Sequence, residues 1–421
     1  MTDNPKGKEK LHILYVVPPR EGHMRPALQI SGAYFSPIIG LWGTLDDATR
    51  WPKIAHAPSS AGRLAASLDC GFVSLLPSGL ESIRFALAAI RRRQPGCHIV
   101  VLSDTCFSGT LALRLQTDLP EGFKEGEEVR AIGIGVVPTF WASPERPPWG
   151  SGLPFDDSER GIKRNMQTIQ ETWNAAAEER GRWVLAMMGC ARDVESLYDD
   201  LSPTIPHPFW DASTICHDTT LQMCIPSLEF SSSDWPEKIK FAGTLPIKPL
   251  PPNLIYPSWF SEILSNSASL HPPNLDRKKI VFVAQGTEVL DHRELIVPTM
   301  KALACQDDVL VVACLYVAGA TLETDSFDNG KMPSNARVID YFPYDTILAH
   351  ADLFVSNSGY RGFQHAVANG VLIVQACNVF DKPDIGRRVE WSGLGVYMVE
   401  SPPTVKDVHL AITKVLGDEG Y

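Results

Sequence analysis

The segment from residue 351 to 395 has the residue types and spacing of a diphosphate site. It reads as strand, glycine-rich turn, helix, strand, acidic loop and helix, and the turn is Asn357-Ser358-Gly359-Tyr360-Arg361-Gly362. A turn of this kind at the start of a helix offers backbone N–H groups and the positive helix end to phosphates. Asp381-Lys382 follow the next apolar run, at the edge where open α/β sheets bind ligands. The spacing therefore predicts a nucleotide-sugar site in which a carboxylate holds hydroxyls.

Strands alternate with helical segments in both halves of the chain, which indicates parallel sheets built from βαβ units. An amphipathic helix is predicted from Glu81 to Arg93, with an apolar face formed by Ile83, Phe85, Leu87 and Ile90. A long polar helix is predicted from about Ser158 to Arg180. The predicted buried strands are Leu11 to Val17, His98 to Ser103, Val129 to Val137, Lys279 to Ala284, Val309 to Leu315, Arg337 to Tyr341, Leu353 to Asn357 and Val371 to Gln375.

The length and the distribution of proline divide the chain into two domains. A chain of 421 residues suits two domains of roughly 200 residues each. Prolines crowd between residues 246 and 276, and because such stretches resist regular structure, this segment is predicted to be the interdomain linker. The prediction is an α/β protein with one Rossmann-like, doubly wound domain in residues 1–245 and another in residues 277–421, facing each other across a cleft.

The charge balance and the cysteine pattern limit the classes of partner and compartment. The net charge of −11 argues against a nucleic-acid partner, because phosphate backbones require a basic surface. No apolar run approaches the roughly 18 residues that span a bilayer, and the polar start MTDNPKGKEK is unlike a signal peptide. Nine scattered cysteines without a Cys-x-x-Cys pair indicate reduced thiols in a cytoplasmic protein. Cys216-His217 and Cys224 match no zinc spacing.

Most of residues 280 to 417 resemble the donor-binding half of the UDP-glycosyltransferases of glycosyltransferase family 1. The turn Asn357 to Gly362 and Asp381-Lys382-Pro383 are similar to the Asn-Gly-Gly-Tyr-Gly-Gly turn and the Asp-Lys-Pro loop of fungal and bacterial members. Gln285-Gly286-Thr287 resembles the first donor loop, and Asp340-Tyr341-Phe342-Pro343 resembles the uracil-binding loop. The resemblance implies the GT-B fold, with the acceptor bound mainly by the first domain and the UDP-sugar by the second.

The resemblance also implies roles for individual donor-site residues. Tyr341 is expected beside the uracil, with the backbone of Phe342 bonding the edge of the base. Asp381 is expected to accept hydrogen bonds from sugar hydroxyls. Two alternatives stay open, a core position for Tyr341 and a helix cap for Asp381. The full set of expected donor-binding residues is Gly286, Thr287, Tyr341, Phe342, Asn357, Ser358, Gly359, Tyr360, Arg361, Gly362, His365, Asp381 and Lys382.

Several positions depart from the family pattern. Ser358 and Arg361 replace small residues of the turn, His365 stands where the family has a ribose-binding Glu or Gln, and Leu372 replaces a proline. Arg361 either adds a positive charge beside the diphosphate or points to solvent. Residues 31 to 71 lack clear periodicity. The chain stops where relatives continue into helices that cross back to the first domain, so a truncated C-terminal tail is expected.

Transfer of a sugar to a hydroxyl needs a base for the acceptor proton and stabilisation of the leaving diphosphate. His23 follows the first predicted strand, and Gly22-His23 with Pro26 resembles the Gly-His-x-x-Pro motif of the family, whose His is the catalytic base. Without that resemblance, a lone His is more often structural. Asp104 follows a second predicted strand, where the resemblance implies an Asp that holds the base. The alternative for Asp104 is an N-cap of the next helix.

The combined expectation is an inverting UDP-hexosyltransferase that moves glucose to a hydroxyl of a small lipophilic acceptor, such as a sterol or a secondary metabolite. The resemblance implies no metal and no other cofactor, and it leaves peripheral membrane contact open. The loop with Phe140, Trp141 and Trp149 either suits a lipophilic ligand or packs in the core. The altered turn and the short C-terminus leave a catalytically impaired sugar-nucleotide-binding protein as the alternative function.

Overall fold

The computed structural model describes most of the chain, as two compact units. It describes residues 11–17, 66, 69, 72–115, 117–172, 175–198, 208–245, 247, 250–268, 277–286, 291–357, 359–378 and 380–417. The first unit comprises Met1–Ser151, Asp156–Ile225 and Ser231–Gly243, and the second comprises Gly152–Phe155, Pro226–Phe230 and Thr244–Tyr421. Each unit contains one parallel β-sheet within the described residues.

The described sheet of the first unit has five parallel strands that neighbour one another in chain order. They are β1 (Leu11–Val16), β2 (His98–Asp104), β3 (Arg130–Gly135), β4 (Thr219–Gln222) and β5 (Ile239–Phe241). The three strands predicted in this half are confirmed, although β1 exposes Leu11 and Ile13 while it buries Leu14 and Val16. β4 (TTLQ) and β5 (IKF) were not predicted, because neither contains two consecutive apolar residues that would mark a buried strand.

The helices described in the first unit are α1 (Leu76–Arg93), α2 (Gly109–Arg114), α3 (Glu159–Thr172), α4 (Ala175–Met187) and α5 (Pro208–Ile215). The predicted amphipathic helix is confirmed as α1 and starts earlier, at Leu76. Phe85, which was predicted on the apolar face, is 56% exposed. It lies two residues after the buried Ile83, and two residues correspond to a rotation of about 200° around the helix axis, so the two side chains point in opposite directions. The region predicted as one helix from Ser158 to Arg180 contains α3 and the first part of α4, which continues to Met187.

One described stretch, Val73–Arg93, is long and apolar enough to cross a membrane by length and composition alone. It consists of a 3-10 turn (Val73–Leu75) followed by α1. Half of its apolar window is buried, and Leu80 and Leu87 pack with Val101 in the core of the first unit. Its role as a core helix accounts for its apolar composition.

The described sheet of the second unit has six parallel strands in the spatial order β11-β10-β9-β6-β7-β8. The chain runs outwards from β6 to β8, returns to the other side of β6 and runs outwards again to β11. This is a doubly wound sheet, and ligands of such sheets bind where the strand order reverses. The five strands predicted here are confirmed, and β11 was missed. The strands are β6 (Lys279–Ala284), β7 (Val309–Cys314), β8 (Ala336–Ile339), β9 (Leu353–Ser356), β10 (Leu372–Gln375) and β11 (Gly395–Tyr397).

Helices cover the sheet of the second unit and close its core. Every side chain of β7 and β9 is buried, as central parallel strands require. Val311 and Val355 pack in one core with Met300 and Ile412, which come from two different helices. The helices described in this unit are α6 (Phe260–Ala268), α7 (Ile296–Ala302), α8 (Tyr344–Leu348), α9 (Tyr360–Ala368), α10 (Lys382–Trp391) and α11 (Val405–Gly417).

Two short segments that lie in the chain between elements of the first unit pack in the second unit, against α10. The carboxylate of Glu229 accepts hydrogen bonds from Nε and Nη2 of Arg388 at 3.0 and 2.7 Å, and both side chains are buried. The ring of Phe230 stacks on Phe155 at 5.3 Å and meets Trp391 edge-on at 5.5 Å. The single domain boundary read from the sequence did not anticipate these contacts.

His217 is buried in the first unit, just after α5. Its side chain is 2% exposed, and its Nδ1 lies 3.6 Å from the thiol of Cys216. A Cβ on Gly133 would come within 2.7 Å of the same Nδ1, so the pocket around the ring has no spare room on that side. Burial lowers the pKa of His217 to about 4, because the charged imidazolium would lose its hydration. The fold therefore accommodates the neutral ring.

We predict that His217 makes the protein sensitive to acid. Its pKa is about 4 when folded, against 6.5 ordinarily, so the unfolded state binds more protons between these values. The free energy of unfolding is therefore expected to fall as the pH drops through this window, by about 3 kcal/mol near its lower end. Urea denaturation at neutral pH and at mildly acidic pH measures the loss, which should be smaller in His217→Gln than in wild type.

The exposed His98 supplies a matched control for this measurement, because His98→Gln also removes one imidazole from the first unit. That variant should retain the wild-type loss of stability. An equal loss in wild type and His217→Gln would contradict the prediction.

Candidate functional site

The reversal of strand order between β6 and β9 places two loops side by side at the carboxyl edge of the second sheet. Gly286 follows β6 and Asn357 follows β9. The buried side chain of Asn357 accepts the backbone N–H of Gly286 with its Oδ1, at 2.8 Å. This bond joins the loops at the position where open α/β sheets bind ligands. We refer to the loops that follow β6 to β10 at this edge as the site edge.

The turn after β9 starts helix α9 at the site edge. Gly359 is the N-cap residue and no side chain caps the helix. The first N–H groups of a helix lack partners within the helix and carry the positive end of its dipole. A Cβ added to Gly359 would meet the carboxylate oxygens of Asp381 at 3.8 and 3.9 Å. The start of α9 and this carboxylate therefore flank a space that suits the close approach of a ligand to the backbone.

The first turn of α9 is anchored in the core. Tyr360 is 2% exposed and its ring lies 6.0 Å from that of Phe363. Gly362 is also buried, and its N–H donates to the carbonyl of Gly359 at 3.0 Å. The buried Tyr360 and Gly362 therefore fix the turn to the core of the second unit.

Asp381 occupies the N-cap position of α10, but its side chain makes no capping hydrogen bond. Only its backbone carbonyl serves the helix, by accepting the N–H of Ile385 at 3.1 Å. The helix-cap alternative for this carboxylate is therefore wrong. The next residue, Lys382, is buried, and its ammonium group lies 5.6 Å from the ring centroid of Phe380. The role of Lys382 as a donor ligand stays a prediction.

Strained backbone is concentrated in the loops of the site edge. Four described residues other than glycine have φ in the left-handed region, namely Tyr316 at 68°, Asn329 at 56°, Cys377 at 81° and Phe380 at 54°. Three of these four follow β7 or β10. Such conformations cost roughly 1–3 kcal/mol each and cluster at functional sites, where the surrounding structure maintains them.

The loop after β8 carries one exposed and one buried aromatic ring. Tyr341 is 40% exposed, so the alternative that it is a core aromatic is wrong. Phe342 is 3% exposed, and its ring lies 5.8 Å from Tyr256 and 5.9 Å from Phe260. Phe342 therefore anchors the loop while Tyr341 remains accessible.

Tyr316, which follows β7 at the site edge, was not predicted from the sequence as a site residue. Its ring centroid lies 6.0 Å from that of Tyr341, with the planes at 66°. The carboxylate of Asp340 joins the two loops, because it accepts the N–H of Gly319 at 2.6 Å and that of Tyr341 at 2.8 Å. These backbone hydrogen bonds lower the pKa of Asp340. The sequence did contain a signal for Tyr316, because this aromatic residue comes directly after the predicted buried strand that ends at Leu315.

His365 belongs to a partly buried polar network between α9 and α8. Its Nδ1 lies 2.8 Å from Oδ1 of Asp345, which also accepts the side-chain N–H of Asn369 at 2.9 Å. Burial raises the pKa of Asp345, but the hydrogen bonds from His365 and Asn369 outweigh it, so this pKa lies below its ordinary value. Arg361, one turn earlier on α9, acts electrostatically on Asp345 and on Tyr344.

Three of the predicted site residues, His23, Thr287 and Ser358, lie outside the described residues. Asp104, the predicted partner of His23, ends β2 and is 3% exposed. Its Oδ1 accepts the N–H of Cys106 at 2.8 Å. The next helix, α2, has Ser108 as its N-cap residue, so the helix-cap alternative for Asp104 is wrong.

The aromatic residues considered for the acceptor lie in the core of the first unit. Phe140 and Trp141 are buried, and the ring of Phe140 lies 4.4 Å from that of Trp149. The indole N–H of Trp141 donates to the carbonyl of Asp234 at 3.0 Å. The packing alternative is therefore confirmed for Phe140 and Trp141.

A pocket of about 670 Å³ opens elsewhere in the second unit. Most of its lining is apolar and comes from residues 247 to 264, while Asp345, His350 and Asn369 supply polar groups. None of the described residues of the turn after β9, which leave out Ser358, lines this pocket. Within the described part of the chain, no group of three or more His, Cys, Asp or Glu side chains is placed to hold a metal ion.

Comparison with known proteins gives the class of this protein. No protein-family model matches the chain. UDP-glucosyltransferase A1 of Starmerella bombicola is 30% identical over 397 residues, which cover 93% of this chain and 76% of that protein. UDP-glucosyltransferase 1 of Beauveria bassiana (strain ARSEF 2860) is 28% identical over 453 residues, which cover 100% and 92%. Among solved structures, the calicheamicin glycosyltransferase CalG4 matches with a TM-score of 0.57 and 16% identity, over 97% of this chain and 90% of that one.

Two parallel sheets flanked by helices, matched over nearly the whole chain, define the GT-B fold of glycosyltransferases. The sequence relationship is more specific: the chain belongs to the UDP-glycosyltransferase family and is a UDP-dependent glycosyltransferase. The resemblance identified from the donor-loop residues is thereby confirmed. The roles that it implies for individual residues stay predictions.

We predict that Gly359→Ala weakens UDP binding without unfolding the protein. The new methyl group would sit between the start of α9 and Asp381 at ordinary contact distances, in the space that a diphosphate would use. UDP affinity should fall by about tenfold or more, which is about 1.4 kcal/mol, in calorimetric titration. The free energy of unfolding should fall by no more than about 1 kcal/mol, the scale of an N-cap change.

Gly417→Ala is the matched control, because a Cβ there meets nothing and the residue ends α11, away from the turn. That variant should bind UDP like wild type. Unchanged UDP affinity in Gly359→Ala would show that the donor does not approach the start of α9.

Proposed function

We propose that this enzyme transfers glucose from UDP-glucose, with inversion, to a hydroxyl of a small lipophilic acceptor. One observation carries the donor half of the proposal, namely the order of residues along the site edge. The loops from β8 to β10, taken in the spatial order of the strands, contain Tyr341, Tyr316, Gly286, Asn357 with Gly359, and Asp381.

This order matches the chemical order of a UDP-sugar. Aromatic rings at one end suit the uracil, the start of α9 suits the diphosphate, and the carboxylate of Asp381 suits the hydroxyls of the sugar. Neighbouring strands lie about 4.8 Å apart, so the four spacings between these five strands span roughly 19 Å, which accommodates an extended nucleotide sugar. In this proposal Thr287, Ser358 and Lys382 complete the donor set.

His23 is the proposed base, and Asp104 is its proposed support. His23 takes the proton of the acceptor hydroxyl as that oxygen bonds to the anomeric carbon. The bond from this carbon to the diphosphate breaks, and its electron pair leaves with UDP. Asp104 keeps the imidazole in one orientation and stabilises the imidazolium. The positive end of α9 and the charge of Arg361 offset the charge that develops on the diphosphate.

The proposed sugar and the proposed acceptor are supported by different kinds of evidence. Glucose is proposed because the two relatives described above are named UDP-glucosyltransferases. The lipophilic acceptor is an expectation from the sequence, and Phe140 and Trp141 do not support it because they are buried. A screen of hydroxylated sterols and secondary metabolites addresses the acceptor directly.

We predict that UDP and UDP-glucose bind with micromolar dissociation constants, of order −8 kcal/mol, in calorimetric titration. His23→Ala should retain this binding, because His23 is not part of the proposed donor set. It should reduce glucosyl transfer by about 100-fold or more, because general base catalysis contributes on that scale. The initial rate of UDP release with an acceptor from the screen measures the loss.

Asp381→Asn separates the sugar from the nucleotide. This substitution should weaken the binding of UDP-glucose and leave the affinity for UDP unchanged, because the carboxylate is proposed to hold sugar hydroxyls. Wild-type turnover in His23→Ala would exclude His23 as the base. Binding of UDP-glucose without transfer to any acceptor would favour the catalytically impaired sugar-nucleotide-binding protein, and no UDP binding by folded protein would exclude the donor site.

A further inference from the structure

The pocket beside α6 is a feature of the second unit that the proposed donor site does not use. Its volume of about 670 Å³ lies in the range of small-molecule sites, roughly 300–1,000 Å³. Ile247, Leu250 and Leu264 line the pocket, and these large apolar side chains are 43–54% exposed. Apolar side chains gathered around a concave space indicate a site for a lipophilic partner.

One wall of the pocket is a fixed aromatic surface. Phe260 lines it and is 4% exposed, and its ring lies 4.8 Å from that of Tyr256 and 6.1 Å from that of His350. The buried Phe342 contacts Tyr256 and Phe260 and supports both rings. Because these rings are already in place before a ligand arrives, they suit a flat apolar molecule.

Asp345 lines the same pocket, and its carboxylate has accepting capacity left. Its Oδ1 is occupied by the hydrogen bonds with His365 and Asn369. No residue in the described part of the chain donates to Oδ2, and the side chain is 17% exposed. An ionised carboxylate accepts through both oxygens, so Asp345 offers Oδ2 to a ligand.

The charge of the pocket is negative. Burial raises the pKa of Asp345, but the hydrogen bonds from His365 and Asn369 outweigh it, so the carboxylate is ionised at neutral pH. Burial lowers the pKa of His350, so this ring is neutral there. The described residues that line the pocket include no lysine or arginine, and Arg361, which acts electrostatically on Asp345, is not among them. A cation therefore finds a complementary charge in a mainly apolar space.

We propose that this pocket binds a lipophilic amine, whose flat apolar body packs on Tyr256 and Phe260 and whose ammonium group donates to Oδ2 of Asp345. An ammonium is favoured over a hydroxyl because hydrogen bonds between ionised groups are roughly twice as strong as neutral ones. A carboxylate ligand is disfavoured because it would meet Asp345 with like charge. The ligand is distinct from the UDP-sugar, so the inference goes beyond the proposed function.

Three indoles that share one ring system and differ in their end group test the charge preference, namely tryptamine, tryptophol and indole-3-acetate. NMR titration of the full chain at neutral pH should give an affinity for tryptamine about tenfold higher than that for tryptophol, the difference expected between a charged and a neutral donor. Indole-3-acetate should bind more weakly than tryptophol. Equal affinities for tryptamine and tryptophol, or no binding of tryptamine at millimolar concentration, would overturn the proposal.

Asp345→Asn removes the charge and keeps an acceptor oxygen for His365 and Asn369. The affinity for tryptamine should fall about tenfold, to that of tryptophol, while the affinity for tryptophol should stay within about threefold. Asp328→Asn is the matched control, since it removes an exposed carboxylate of the same unit that does not line the pocket, and it should keep the wild-type preference. A wild-type preference for tryptamine in folded Asp345→Asn would also overturn the proposal.

Ser261→Trp tests the location of the ligand and leaves Asp345 in place. Ser261 is an exposed residue of α6 that lines the pocket, so an indole side chain there would occupy the apolar space. Tryptamine and tryptophol should both bind at least about tenfold more weakly. Ser334→Trp, at an exposed position of the same unit outside the pocket lining, is the matched control and should bind both ligands like wild type.

Unchanged affinity for tryptamine in folded Ser261→Trp would place the ligand elsewhere and contradict the inference. If Asp345→Asn does not fold, this measurement and the three indoles with wild type decide.

Discussion

The hydrogen bond from the N–H of Gly286 to the buried side chain of Asn357 holds together the two loops on which the site edge depends. The parallel register sets Ala284 opposite Ser356, so the loops after β6 and β9 start side by side. Strand pairing ends there, and without a further contact the two loops would be free to separate. The amide oxygen of Asn357 supplies that contact at 2.8 Å, in a site where an unpaired polar group would be costly. The start of α9 is thereby fixed relative to the loop after β6.

The opposite side of the site edge is fixed by contacts of another kind. Asp381 precedes α10, and α10 is held by the buried pair of Arg388 with Glu229 and by the aromatic contacts of Trp391. Removing one partner of a buried ion pair typically costs about 3–5 kcal/mol, because the other charge is left without compensation. The carboxylate close to Gly359 is therefore positioned by a helix whose buried ionic anchor, Glu229, lies 159 residues before Arg388 in the chain.

The departure of His365 from the family pattern is accompanied by a polar network between α9 and α8. Nδ1 of His365 lies 2.8 Å from Oδ1 of Asp345, and Asn369 donates to the same oxygen at 2.9 Å. Although burial raises the pKa of Asp345, these hydrogen bonds favour the ionised carboxylate and hold this pKa below its ordinary value. The network therefore joins the two helices, and the role of His365 in donor binding stays a prediction.

The sequence by itself determined the class of fold, the central strands, the glycine-rich turn and the family, because these features depend on neighbours in the chain. Apolar runs such as Lys279–Ala284 and the turn from Asn357 to Gly362 are local patterns, and the structure places both where they were predicted. β5 and β11 have only three residues each, which is too short for that local signal, and they were missed.

Only the tertiary structure decided which residues meet at the site edge. Tyr316 stands beside Tyr341 because β7 pairs with β8 and Asp340 joins their loops. His365 meets Asp345 because α9 packs beside α8. The burial of Phe140 and Trp141, the exposure of Phe85, and the attachment of Glu229 to α10 likewise depend on residues far apart in the chain. Such contacts arise only when the strands and helices pack, so no local pattern in the sequence contains them.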